Sequence, residues 1–292
     1  GAQLRSDRLA PVGLYLSTQR ARTATTREDR VNQNQVGVFA ELYTDWQPWL
    51  RSTIGLRADT ARFNVQSIAS TARGKASDTL VSPKLSLALG PWAKTEFFAA
   101  WGTGFHSNDA RGATDEVNPV PGLVKSRGHE FGLRTQAING LQSSLALWRL
   151  NFDSELIYIG DAGTTEASRA SKRYGVEWHN HWVLGTYNKT LEGWLIDLDL
   201  AASQARFTQV APEGQHIPGA VGRVASFGLT YDGTGPLLGQ FQLRHFGPRG
   251  LTEDGTQRSA ATTLASVRLG WRITPDVTVT ADVFNLLDKK AS

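Results

Sequence analysis

The sequence predicts an all-β protein, namely an antiparallel transmembrane β-barrel. Apolar and polar side chains alternate in about twelve segments of roughly ten to sixteen residues, as in strands whose two faces meet different solvents. The connections between the segments alternate between short and long, which is typical of outer-membrane barrels. The chain also contains nine tryptophans, which lie mostly near segment ends, where an amphipathic ring suits a membrane interface. These observations favour a barrel in a bacterial outer membrane over a soluble sandwich.

Composition excludes several other classes of protein. No stretch approaches about eighteen consecutive apolar residues, so we expect no transmembrane helix. The chain has no cysteine, which excludes disulfides and thiolate chemistry. The formal net charge is +4, and the 31 basic residues are scattered among 27 acidic ones. This pattern gives no support for nucleic-acid binding, whereas a mildly basic barrel could contact lipopolysaccharide.

No linker, charge block or shift of composition divides the chain, so we interpret residues 1–292 as a single domain. The chain contains no methionine and begins without a recognisable signal peptide, although an outer-membrane protein must be exported. We therefore expect a fragment of a longer protein.

The first half of the chain predicts six strands. The second strand alternates Val36, Val38, Ala40 and Leu42 with more polar residues, and a short turn precedes the return strand. We expect long polar loops at residues 67–78 and 107–125. The predicted strands are 9–19, 32–44, 50–65, 80–89, 95–106 and 128–137.

The second half predicts seven more strands. Asn139 and Gly140 indicate a tight hairpin because both tolerate positive φ, and a glycine-rich excursion follows at 160–163. Asp197 and Asp199 alternate with apolar residues, and since two aspartates facing lipid would be very costly, we expect them to face the lumen. The predicted strands are 141–152, 171–183, 191–207, 221–231, 238–246, 262–271 and 276–284.

Several strings resemble the carboxy-terminal barrel of TonB-dependent outer-membrane receptors. They include VGVFAELYTDWQPWLRSTIGLRAD at 36–59, GFHSNDARG at 104–112, GHEFGLR at 128–134, SKRYGVEW at 171–178, LRHFGPRGL at 243–251 and DVFNLLDKK at 282–290. The resemblance spans almost the whole chain, and its most specific part is the Asn-Leu-Leu-Asp-Lys-Lys string.

The resemblance implies a barrel of about 22 strands filled by an amino-terminal plug, of which this chain would supply about 12–13 strands. It implies a non-enzymatic receptor that imports a siderophore, cobalamin or glycan with energy supplied by TonB through the plug region. The chain departs from that pattern because it shows no plug, no energy-coupling peptide and no closing strand.

Charged residues at alternate strand positions are predicted to face the lumen. In a plugged barrel they would form hydrogen-bonded networks, because a buried charge needs partners, and this structural role competes with a direct role in binding. The predicted lumen-facing positions are Glu41, Arg57, Asp59, Glu96, Glu130, Arg134, Glu177, Asp197, Asp199, Arg244, Arg268 and Asp282.

Loops on a rigid scaffold commonly carry recognition, so the outer loops are the first place to expect substrate contacts. We select Asn108, Asp109 and Arg111 in one loop and Arg249 in another, with loop-to-loop hydrogen bonding as the competing interpretation. His179 and His181 share a strand face and could form half a metal site, but an interfacial role beside two tryptophans is the better interpretation. We expect no metal, no cofactor and no catalytic residues.

Two alternatives to the receptor remain open at this stage. A small self-contained barrel could act as a passive, porin-like channel, with its first and last strands in contact. An outer-membrane hydrolase would need a Ser/His pair near the interface, and no strained nucleophile turn is present in the sequence.

Overall fold

The structure is a computed structural model that describes residues 1–68, 70, 72–159, 164–167 and 169–290. In this part of the chain thirteen strands form one antiparallel sheet in chain order, and a separate two-stranded hairpin lies in one of the connections. The strands are β1 (Ala2–Thr18), β2 (Ala21–Gln47), β3 (Leu50–Ser67), β4 (Arg73–Trp92), β5 (Thr95–Ser107), β6 (Leu123–Thr135), β7 (Leu141–Phe152), β8 (Leu156–Ile159), β9 (Thr164–Ala167), β10 (Ser171–Val183), β11 (Trp194–Phe207), β12 (Arg223–Asp232), β13 (Leu237–Phe246), β14 (Thr262–Thr274) and β15 (Val277–Val283).

This architecture confirms the predicted all-β antiparallel class, and each predicted strand has a counterpart in the sheet. The predicted excursion at 160–163 lies outside the described residues. The number of strands in a complete barrel stays a prediction.

The strands β2, β3 and β4 are longer than the alternation of apolar residues suggested. The predicted long loop at 67–78 is wrong, because β3 continues to Ser67 and β4 begins at Arg73. Polar residues such as Asn64 and Lys75 pair across these strands. A strand segment with water on both faces needs no apolar face, so the hydropathy pattern did not reveal the additional length of β3 and β4.

Two turns also differ from the expectation. Gln19 and Arg20 alone connect β1 to β2, with φ of 50° and 68°, although neither is a residue type that signals such a turn. The hairpin between β6 and β7 is confirmed, but Gly140 carries its positive φ, of 77°, whereas Asn139 does not.

Short helices occupy two connections. Helix α1 (Ala110–Ala113) lies between β5 and β6. Helix α2 (Leu184–Tyr187) and a 3-10 turn (Lys189–Leu191) join β10 to β11, so β11 begins at Trp194 instead of residue 191. Within the described residues no helix is long and apolar enough to cross a membrane.

The register gives the sheet two chemically different faces. On the apolar face, Ile54 lies beside Leu42 on one side and Leu85 on the other. The opposite face, called the polar face below, carries most of the charged strand residues. Most connections at one end of the sheet are short and most at the other end are long, so we call these the short-connection and long-connection ends.

The main buried cluster lies on the polar face at the long-connection end. Phe63 is 2% exposed there and packs with residues of β2, β3, β6 and helix α1. The buried members are Val31, Ala61, Phe63, Val65, Ala110, Ala113 and Leu123. This packing seats α1, and with it the loop predicted to bind substrate, on the wall of the sheet.

Candidate ligand-binding site

The register brings every predicted lumen-facing charge to the polar face. These charges lie on four groups of strands: β2 and β3 (Glu41, Arg57 and Asp59), β5 and β6 (Glu96, Glu130 and Arg134), β10 and β11 (Glu177, Asp197 and Asp199), and β13 to β15 (Arg244, Arg268 and Asp282). Their shared face follows from the period of two along each strand. Whether this face lines a lumen stays a prediction.

The most enclosed of these charges form a cluster around Asp59. The guanidinium of Arg57 donates from Nε to Asp59 Oδ2 at 2.5 Å and from Nη2 to Oδ1 at 2.6 Å, and Gln35 Nε2 donates to Oδ1 at 3.1 Å. Asp59 is only 1% exposed. Gly37 lies directly opposite, and a Cβ at that position would overlap both charged groups. The cluster is therefore closed and fully paired, as a buried carboxylate requires.

Other ion pairs tie neighbouring strands together. Glu96 contacts the guanidinium of Arg51 and lies 3.2 Å from Arg134 Nε, so one carboxylate bridges β3 and β6. Lys84 pairs with Glu41 across the intervening strand β3, and the stem of Lys84 lies over Gly55. These contacts support the structural role that the sequence left open for the charges.

A concave cavity of about 1170 Å³ lies on the polar face and includes residues at the short-connection end. On one wall, His179 Nδ1 lies 3.0 Å from Asp199 Oδ1, and His181 Nδ1 lies 2.7 Å from Asp197 Oδ1. Each pair joins direct cross-strand neighbours on β10 and β11. Their side chains are 41–56% exposed, so both pairs are open to the cavity.

The pairing of these histidines was not predicted, although the sequence carried a signal for it. Two histidines spaced by two on one strand meet two aspartates spaced by two on the next strand, which is the spacing that cross-strand pairing requires. In the described part of the chain, no group of three or more His, Asp or Glu residues is arranged to hold a metal ion.

Three of the predicted substrate residues lie together in the connection between β5 and β6. Asn108 is buried at 3% exposure, and its side-chain amide donates to the carbonyl of Pro121 at 2.8 Å. Asp109 caps helix α1 by accepting from the backbone N–H of Arg111 at 2.8 Å, and its Oδ2 lies 2.6 Å from Arg111 Nη2. These contacts shape the loop, and Asn108 in particular is too enclosed for direct contact with a ligand.

The Asp109 carboxylate stays ionised to a lower pH than an ordinary aspartate does. Partial burial raises its pKa, but hydrogen bonds from the side chain and backbone N–H of Arg111, together with the guanidinium charge, outweigh that effect. The pKa of Asp109 therefore lies below its usual value. The same hydrogen bond raises the pKa of Arg111, so the pair keeps both charges.

Arg249 lies elsewhere, in the connection between β13 and β14. It lines a cavity of about 420 Å³ at the long-connection end, together with Arg206, His216, Arg223 and Arg258. No acidic side chain occurs among the described residues that line this cavity. The arginines come from three separate parts of the sequence, so their assembly could not be read from any local motif. This lining is suited to a ligand with anionic groups.

Comparison with known proteins gives these surfaces a context. Residues 2–286 match the family model described as TonB dependent receptor-like, beta-barrel. The chain belongs to this family. The resemblance drawn from the sequence strings is thereby confirmed, and the chain is part of an outer-membrane protein of Gram-negative type. No curated protein matches the chain.

Solved structures share this TonB-dependent receptor barrel fold. The ferric citrate transporter FecA in its unliganded form matches with a TM-score of 0.78 at 16% identity, over 93% of this chain and 42% of FecA. The ferric yersiniabactin uptake receptor FyuA from Yersinia pestis gives 0.73 at 16% identity, over 91% and 43%. The copper transporter OprC gives 0.71 at 21% identity, over 95% and 46%. The chain thus spans less than half the length of each, and these likenesses show the fold alone.

Proposed function

We propose that this chain forms part of the barrel wall of a receptor that binds a scarce nutrient outside the cell and imports it through the outer membrane with energy supplied by TonB. The observation that carries the proposal is the family match over nearly the whole chain, joined to a polar face that holds a large cavity. The family and the similar structures are receptors and transporters, which favours import over catalysis.

In this proposal the long-connection end faces the outside of the cell and the short-connection end faces the periplasm. The ligand is a small molecule of the siderophore, cobalamin or glycan class, captured by the outer connections. Asp109 and Arg111 keep one of these connections in shape, and Arg249 contributes to the arginine-lined cavity. Within those classes, this lining favours a ligand that carries carboxylates or other anionic groups.

After capture, the ligand would move along the polar face toward the cavity lined by His179 and His181. The proposed partners are outer-membrane lipid and lipopolysaccharide on the apolar face and TonB through a plug region outside this chain. We propose no nucleic-acid partner, because the charges of the polar face are largely paired. The passive-channel alternative is not favoured by a match to a receptor family.

The test is uptake by bacterial cells that carry the full-length protein. Cells with and without TonB are supplied with radiolabelled ferric citrate, cobalamin or an anionic oligosaccharide, and accumulation is measured over time. We expect at least one probe to accumulate only in cells that have both proteins. Accumulation at equal rates without TonB would support the passive channel, and accumulation of none of the probes would overturn the ligand classes proposed here.

The role of Arg249 is tested in the same assay. An R249Q/R258Q variant removes two charges from the arginine-lined cavity and is expected to lower uptake of an anionic probe at least about tenfold, since the loss of even one charge-assisted hydrogen bond costs about 1.5 kcal/mol or more. A K189Q/K290Q variant, which loses the same charge at exposed positions elsewhere, serves as the control. Equal uptake by both variants would exclude this cavity from ligand capture.

A further inference from the structure

Two connections that border the arginine-lined cavity are packed directly against each other. One joins β11 to β12 and the other joins β13 to β14. The N–H of His216 donates to the carbonyl of Glu253 at 2.9 Å, and the N–H of Gly219 donates to the carbonyl of Gly250 at 2.8 Å. A Cβ at Gly214 would overlap the same Glu253 carbonyl. The backbones of the two connections therefore meet in a close junction.

The junction sets the spacing of the arginines in the cavity. Arg206 and Arg223 belong to the strands β11 and β12, whereas Arg249 and Arg258 belong to the connection between β13 and β14. The sheet fixes the first two, but the second two depend on how their connection is held. Cations repel one another at short range, so a group of them needs other contacts to stay in place. Arginines held in place before a ligand arrives lose less entropy when they bind it.

Arg169 supplies such contacts, although it is not among the described residues that line the cavity. Its Nη1 donates to the carbonyl of Gly214 at 2.8 Å and to that of Gln209 at 3.1 Å, and its Nη2 contacts the carboxylate of Glu253. The guanidinium also lies 4.3 Å from the centre of the buried Phe207 ring. Because Arg169 itself lies between β9 and β10, one side chain joins three connections.

The partners of Arg169 suit an arginine and no other cation. The side chain of Arg169 is 17% exposed and that of Glu253 is 24% exposed, so both charges have lost most of their water and depend on each other. A guanidinium presents several N–H donors in a fixed plane and can serve two carbonyls and a carboxylate together, whereas an ammonium is a point charge.

The same contacts keep acidic groups away from the cavity. The connection between β13 and β14 contains two acidic residues, Glu253 and Asp254. Arg169 engages the first, and the hydroxyls of Thr252 and Thr256 donate to the second. Both carboxylates are thus held by groups that do not line the cavity, which leaves the cavity arginines to an external anion.

We propose that Arg169 is a positioning residue for anion capture. It docks the two connections on each other and so fixes the distance between the strand arginines and the arginines of the β13–β14 connection. The inference rests on the proposed function, in which this cavity captures an anionic ligand. The class selected is a ligand with two or more carboxylates at a fixed separation, since such a ligand can contact both sets of arginines at once.

The test measures citrate binding to the full-length protein in mild detergent by isothermal titration calorimetry. Glu253→Ala removes a negative charge near the cavity, so an effect of charge alone would tighten citrate binding. Positioning predicts the opposite, a binding about tenfold weaker, which is the equivalent of one lost charge-assisted hydrogen bond. Arg169→Lys keeps its charge but should also bind citrate more weakly. The control is Glu116→Ala, which loses the same charge at an exposed position in another connection and should bind normally.

Hydrogen exchange locates the effect in the structure. Protection of the N–H groups of His216 and Gly219, which bridge the two connections, should fall in the Glu253 and Arg169 variants and stay unchanged in the control. Tighter or unchanged citrate binding by Glu253→Ala would overturn the proposal, as would unchanged protection at the junction. If the unaltered protein binds no citrate, this proposal fails together with the capture site. The import proposal is judged separately, by TonB-dependent uptake of cobalamin and the oligosaccharide.

Discussion

Two clusters on the polar face look alike in sequence and differ in the folded protein. Arg57 and Asp59 are spaced by two on β3, as are His179 and His181 on β10. The Arg57–Asp59 cluster is closed, with its carboxylate 1% exposed and Gly37 leaving room for it. The His–Asp pairs instead stay open to a cavity, with about half of each side chain exposed.

The difference shows that a shared face does not give charged residues a shared role. A closed cluster stabilises the sheet, because its buried carboxylate has lost water and depends on Arg57 and on Gln35 of the neighbouring strand. An open pair keeps most of its hydration, contributes little to stability, and remains available to whatever enters the cavity. The predictions below separate these two roles, beginning with the largest expected effect.

Replacing Asp59 by Ala should produce the largest loss of stability. The change removes a buried carboxylate and leaves Arg57, whose side chain is 30% exposed, without its ion pair, so we expect a cost at the lower end of the about 3–5 kcal/mol for breaking a buried pair. Denaturant unfolding of the protein in detergent, followed by tryptophan fluorescence, measures the loss. The matched control is Asp197→Ala in the open pair. Equal losses of stability in the two variants would show that the closed cluster and the open pair do not differ in their structural role.

Replacing Gly37 by Ala should have the next largest effect. The added methyl overlaps the Arg57 guanidinium and the Asp59 carboxylate, and such overpacking costs about 1–3 kcal/mol. Gly228, which faces Asp197 on the open side and has more room, is the control position. If G37A and G228A have the same unfolding midpoint, the close packing of Arg57 and Asp59 against Gly37 does not require a glycine at that position.

The Asp109–Arg111 pair should loosen its loop in acid. Because the folded pKa of Asp109 lies below the usual carboxyl value, the pair stabilises fully above about pH 4, the unfolded pKa. That contribution is lost as the pH falls through the lower folded pKa. The protection factors of residues 108–122, which are hydrogen-exchange rates corrected for the slower intrinsic exchange in acid, should therefore fall below about pH 4. An Asp109→Ala variant, which loses both the cap and the ion pair, should be less protected at neutral pH also, by an amount equivalent to about 1 kcal/mol, and the absence of either change would contradict a holding role for the pair.

Replacing His181 by Gln should have the smallest effect on stability. The pair with Asp197 is about half exposed, so we expect a change of at most about 1 kcal/mol. Uptake of the transported probe is the informative measurement, since the open pair lies on the proposed path. A large loss of stability would place His181 with the closed cluster instead.

The sequence predicted the strands well because membrane burial imposes a strict period on them. Val36, Val38 and Leu42 must face one solvent, and the charges between them must face another. The same logic placed Asp197 and Asp199 on the polar face. It could not show that Asp59 is closed and Asp199 open, because that depends on Gly37 and Gln35, which lie on another strand.

The candidate site was predicted less completely than the fold. Asn108, Asp109 and Arg111 lie together in one connection, but their role in substrate binding stays a prediction, and Asn108 serves the loop's own packing. The grouping of Arg249 with three other arginines depends on how two long connections fold back on the sheet. Contacts between distant loops follow no periodic pattern, so they could not be predicted from a single sequence.

The length of β2 has a consequence for what the surroundings of the cell encounter. The strand has 27 residues, whereas about 9–11 tilted residues cross a bilayer. In the proposed orientation more than half of β2 therefore extends beyond the bilayer, where its pairing with β1 and β3 holds its shape. In the proposed orientation, an antibody or a bacteriophage that approaches the cell would meet a regular sheet here instead of a flexible loop.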